Sequence, residues 1–170
     1  MSGLLRSLQA ALIDDREISL YELLFNMKVH GDLSEVFLRA IAAILIMEAA
    51  DREGITVSVE ELQTEADLLR ETLGLHQASE TRKWLKSLGL YEEDFEVGVE
   101  RRIITKKLKE KLIRDKVQPY FEAHQEDFEA DELDEQTASE ISDILWNDWV
   151  KTESERRNAV FTLPSIITKL

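Results

Sequence analysis

Chain-breaking residues are scarce: two prolines and six glycines stand in 170 residues. Four of the glycines, Gly31, Gly54, Gly74 and Gly89, fall where a run of apolar residues at helical spacing ends. Glycine readily takes the left-handed conformation that closes a helix, so this pattern predicts long helices separated by tight stops. The chain is long enough to bury a real interior as one domain of ordinary size. With 44% hydrophobic and 33% charged residues, its composition excludes both disorder and a membrane protein. The absence of cysteine removes disulfides, zinc–thiolate sites, iron–sulfur clusters and cysteine nucleophiles together.

Along the chain, Leu4, Leu5, Leu8 and Leu12 predict a short amphipathic helix over 4–13. Ser19 followed by Glu22 has the spacing of a capping box and opens a helix to about Val29. A long helix is expected over 33–53, closed by Gly54. Ser58 and Glu61 repeat the capping box and start a helix through Leu62, Ala66, Leu69 and Leu73. A short helix follows over 79–88, ending at Gly89, and another over 92–116, with Phe95, Val99, Ile103, Ile104, Leu108 and Leu112 in a stripe. Pro119 reads as the first turn of a new short helix carrying Tyr120 and Phe121. Ile141, Ile144, Leu145, Trp146, Trp149 and Val150 mark a final helix over 135–157. The stretch 159–163, cut off by Pro164, is the one strand expected. No repeat of about 20–50 residues recurs. The expected fold is therefore a single all-α domain over 1–170: an orthogonal bundle of six to eight helices with one short C-terminal strand.

The most apolar stretch, 40–50, is flanked by Arg39 and contains Glu48, and falls short of the ~20 residues of a membrane span. Arg6 and the pair Asp14-Asp15 interrupt the apolar N-terminus, so no secretory signal is expected. The protein is expected in the cytoplasm, without membrane insertion.

Formal net charge is −14, which argues against a nucleic-acid partner, since phosphate binding needs a basic surface. The charge is segregated. Residues 101–116 hold eight basic side chains, Arg101, Arg102, Lys106 and Lys109 among them, against two acids. Residues 122–135 hold eight acids and no lysine or arginine. Two such blocks can fold back on each other, and the basic strip can equally steer an acidic peptide or leader segment.

The order of signals between 33 and 129 resembles a known family. Gly54-Ile55-Thr56-Val57-Ser58 opens one helix, Leu88-Gly89-Leu90 precedes the next, and Tyr120-Phe121 followed by His124 and Phe128 closes the segment. This series is similar to the helical chaperone domain of SurA-type and PpiC-type peptidyl-prolyl isomerases, over roughly 110 of the 170 residues. The resemblance implies a chaperone-like core over 18–129 and a returning C-terminal helix and strand over 133–163. It implies no isomerase activity, because no residues match the parvulin module that such proteins carry between those two parts.

Candidate site residues are few. His30, His76 and His124 lack a second histidine at metal-ligand spacing, so no metal and no cofactor are expected. Glu48, inside the most apolar helix, and His124 are the candidates for acid–base chemistry, with Arg52 a turn from Glu48 as its alternative partner. Met27, Met47, Trp84, Tyr120, Phe121, Trp146 and Trp149 are candidates to line a groove between the long helix and the C-terminal helix. Core packing explains the same aromatic residues. Three functions follow: a chaperone-like protein holding an apolar or precursor peptide; a small helical enzyme (cyclase, isomerase or tailoring protein) acting on a hydrophobic small molecule; or a subunit that dimerises with a second copy of itself.

Overall fold

A computed structural model describes residues 6–13, 16–130 and 132–157. Among them are two strands, β1 (Gln9–Ile13) and β2 (Arg16–Ser19), and six helices: α1 (Leu20–His30), α2 (Asp32–Arg52), α3 (Val59–Thr72), α4 (Ala78–Ser87), α5 (Glu92–Ala123) and α6 (Glu135–Arg156). The fold is all-α with one small sheet. Backbone contacts divide the chain into two compact units, Leu45–Lys151 and the flanking Met1–Ile44 with Thr152–Leu170.

In the flanking unit residues 9–13 of the helix expected over 4–13 form instead the first strand of a hairpin. β1 pairs antiparallel with β2 from Ile13↔Arg16 to Gln9↔Ser19, with a bulge between Gln9 and Ala11. Leucine spacing over so short a run does not separate helix from strand, and pairing with 16–19 decides it. The hairpin runs straight into α1. Ser19 accepts from the Glu22 backbone N–H, while the Glu22 carboxylate accepts from the Ser19 N–H at 3.0 Å. Arg16 pairs with the same carboxylate, and Arg6 lies 4.4 Å over the Tyr21 ring. The strand expected over 159–163 lies outside the described residues.

The unit Leu45–Lys151 is organised by α5, a helix of 32 residues. Phe95, Val99 and Ile103 recur every fourth residue and build one buried cluster with Ala66 and Leu85, bordered by Val57, Leu62, Leu69 and Trp84. Ile104, Leu108 and Leu112 also recur every fourth residue, but one position out of phase. They join a second cluster with Ile46, Ala49 and Ala50, bordered by Met47, Ile55, Trp146, Trp149 and Val150. A one-residue phase shift turns the apolar stripe by ~100°. The first half of α5 thus serves α3 and α4, and the second half serves α2 and α6.

Three helices of this unit stop alike. The N–H groups of Ile55, Leu75 and Leu90 reach back to the carbonyls of Ala50, Arg70 and Leu85, and those of Gly54, Gly74 and Gly89 to Asp51, Glu71 and Lys86. All three glycines have φ between 66° and 69°. This is the double bond of the Schellman stop, with an apolar residue just beyond the glycine.

Pro119 does not start the helix that its sequence context predicts. The structure carries α5 straight through it to Ala123. A proline inside a helix leaves the carbonyl four residues back, here that of Asp115, without a backbone donor. Burial of Ile113 before it and Phe121 after it offsets that loss.

Two stability effects follow. Leu108 is fully buried, so Leu108→Ala should lower unfolding free energy by about 2–5 kcal/mol in urea denaturation. Gly98 lies inside α5, and a Cβ added there meets nothing within 4 Å. Gly98→Ala should therefore stabilise the protein by about 0.5–1 kcal/mol in the same measurement.

Candidate functional site

Helix α3 follows its capping box at Ser58, whose hydroxyl accepts from the Glu61 N–H at 3.2 Å. Helix α5 begins where the Asp94 carboxylate accepts from the Tyr91 N–H at 2.8 Å. Between α3 and the first turns of α5 runs an open groove of about 460 Å³. Its floor is apolar, made by Leu62 and Ala66 of α3 with Phe95 and Val99 of α5. Two apolar rim residues face solvent, Val59 at 84% exposure and Val97 at 45%. Trp84 stands edge-on to Phe95, ring centroids 6.5 Å apart, behind the floor. An open apolar trough of this size admits a few side chains of a peptide.

The polar groups along the groove carry a clear sign. Glu93, Glu96 and Glu100 line the α5 side, and Gln63 and Arg70 the α3 side. Arg70 is held by Asp67 at 2.7 Å and lies over the Phe95 ring. The neighbouring Arg102 pairs with Glu65 at 3.0 Å.

Three lysines of the basic strip of α5 are engaged by neighbouring elements. Lys107 donates to the Thr56 carbonyl at 2.7 Å and pairs with Glu61. Lys111 donates to the Glu53 carbonyl and pairs with the Glu53 carboxylate, both at 2.9 Å. Lys109 pairs with Asp143 of α6. These acids come from α3, α6 and the connection after α2. None comes from 122–135, the block placed to fold back on the strip. Arg101 and Lys106 are exposed.

The residues expected to form a ligand groove are distributed. Met47, Trp146 and Trp149 border the second buried cluster, the two indoles stacked with centroids 4.9 Å apart. Trp84 borders the first cluster. Phe121 is buried beside Phe128, and Tyr120 stacks on His124 at 4.2 Å. Met27 belongs to the other unit. His124 caps α5, its Nδ1–H donating to the Tyr120 carbonyl at 3.0 Å; a carbonyl only accepts, so Nδ1 carries the proton. Glu48 is exposed on α2.

Sequence reasoning missed Glu153, a buried carboxylate that takes two hydrogen bonds from Arg156, at 2.7 and 2.9 Å. It also missed the groove. The clues to it are Val97, apolar but midway between the stripe residues Phe95 and Val99, and acids every third or fourth residue beside it.

Among the described residues no group of three or more histidine, aspartate or glutamate side chains is arranged to hold a metal ion. No helix among them is long and apolar enough to cross a membrane. No family model, curated protein or solved structure matches the chain.

Among the described residues three carboxylates titrate below their ordinary range. Glu22 is lowered mainly by the Ser19 backbone N–H, and Asp134 mainly by the Thr137 N–H at the start of α6. Glu61 is lowered from 4.5 to about 2, first by its hydrogen bond with Lys107 and then by the Ser58 N–H. All three serve helix starts. A depressed carboxylate stabilises the fold fully above its unfolded value, and the gain fades as pH falls through the folded value. Glutamine can still fill the capping position, so Glu61→Gln removes only the charge. Its melting temperature should lie below that of the parent protein above pH 4.5, and the gap should narrow toward pH 2.

Proposed function

We propose that this protein is a chaperone-like binding protein that holds an apolar segment of a peptide or protein client in an open groove between helices, without isomerase activity. The observation that carries this reading is the trough between α3 and α5, with its apolar floor of Leu62, Ala66, Phe95 and Val99 and its solvent-facing Val59 and Val97. The resemblance of 33–129 to the helical domain of SurA-type and PpiC-type proteins supports it, as does the lack of residues resembling the parvulin module between 18 and 163. An enzyme acting on a hydrophobic small molecule would call for an enclosed cavity around a displaced titratable group. Here the displaced carboxylates are helix-cap acceptors, and the groove is open. The place of action is the cytoplasm.

Trp84, in contact with a floor residue, supplies the readout. Titrating a reduced, alkylated and therefore unfolded polypeptide into the protein should change Trp84 emission saturably. The double change Val59→Gln and Val97→Gln should weaken that binding severalfold at unchanged melting temperature, since both side chains are exposed. No binding up to about 1 mM would overturn the proposal. Acceleration of proline cis/trans exchange in a peptide assay would overturn the non-enzymatic part.

A further inference from the structure

We infer that the α3–α5 groove selects amphipathic segments whose apolar side is flanked by lysine or arginine. The inference rests on the reading of this groove as a peptide site and names the class of peptide. Three carboxylates, Glu93, Glu96 and Glu100, follow the groove along α5. None has an ion-pair or hydrogen-bond partner among the described residues. Their own helix supplies none either: the residues three and four places from each are apolar or acidic on the groove side, namely Val97, Val99, Ile103, Ile104 and the other two glutamates.

The row is unfavourable as it stands. Glu93 and Glu96 are three residues apart, Glu96 and Glu100 four apart, and like charges at those spacings destabilise a helix. The helix dipole accounts for acids in the first turn only, which covers Glu93 but neither Glu96 nor Glu100. Elsewhere on α5 the opposite arrangement holds, with Glu110 matched to Arg114 one turn later.

Four cations of the surrounding helices are already committed, while Arg101, the residue after Glu100, is exposed. Arg70 is neutralised by Asp67, Arg102 by Glu65, Lys107 by Glu61 and Arg82 by Glu92. The groove therefore presents an apolar floor with three unneutralised carboxylates along one wall. Its complement is a helix with apolar residues on one side and basic residues at matching three- and four-residue spacings beside them. Such a ligand would add the missing partners and relieve the repulsion within α5.

The test uses three labelled peptides of about 15 residues, four helical turns. They share one apolar face and carry flanking lysines, glutamines or glutamates, and binding to the full chain is read by fluorescence anisotropy. The lysine peptide should bind about tenfold more tightly than the glutamine peptide at ~50 mM salt, each exposed pair contributing a few-fold. The advantage should shrink toward ~500 mM salt. The triple change Glu93→Gln, Glu96→Gln and Glu100→Gln should erase it while glutamine-peptide binding persists. Equal binding of the lysine and glutamine peptides, or a preference that survives the triple change, overturns this inference and leaves the peptide site standing. Binding of none of the three overturns the peptide site as well.

Discussion

The phase shift between Ile103 and Ile104 is the constraint on which the larger unit depends. Two apolar rows, each with a period of four, meet there on one unbroken helix. A single stripe would have drawn every neighbour to one side of α5. The shift instead assigns α3 and α4 to the first half and α2 and α6 to the second. The connection between α2 and α3 joins the two parts, with Ile55 against one cluster and Val57 against the other.

Charge follows the same division. Beyond Arg101, Arg102, Lys107, Lys109 and Lys111 reach the acids and carbonyls of elements packed against that helix, Lys107 and Lys111 a turn apart on the Glu53–Glu61 stretch, while Arg114 pairs with Glu110 of α5 itself. Lys111 donates to a carbonyl at the C-terminal end of α2, where the helix dipole favours a cation. The same strip read from sequence was a candidate partner site for an acidic peptide. Its engagement with α3 and α6 moves the interest to the first turns of α5, where the carboxylates are the unmatched groups.

The groove exists because α3 and α5 meet through small and β-branched residues. Ala66 lies across from Phe95 and Val99, and the short side chain leaves a trough beside the aromatic ring. Val59 and Val97 continue the apolar surface out to solvent instead of turning polar at the rim. The large aromatic residues of α6 contribute elsewhere, against Leu108 and the alanines of α2.

Local signals in the sequence carried most of the helical outline. The capping boxes at Ser19 and Ser58 and the glycine stops at Gly54, Gly74 and Gly89 act through hydrogen bonds within a few residues, so their effect is visible without the rest of the chain. Where a distant partner decides the outcome, sequence was insufficient. Pairing with 16–19 makes 9–13 a strand despite its leucine spacing, and packing around Ile113 and Phe121 carries α5 through Pro119. The apolar trough of the candidate site belongs to this second kind. Sequence alone determines that Glu93, Glu96 and Glu100 share a side of a helix with no lysine or arginine three or four places away. Only the tertiary structure decided that an apolar trough lies beside them, because a trough is made by two helices far apart in the chain and by the small residue at which they meet.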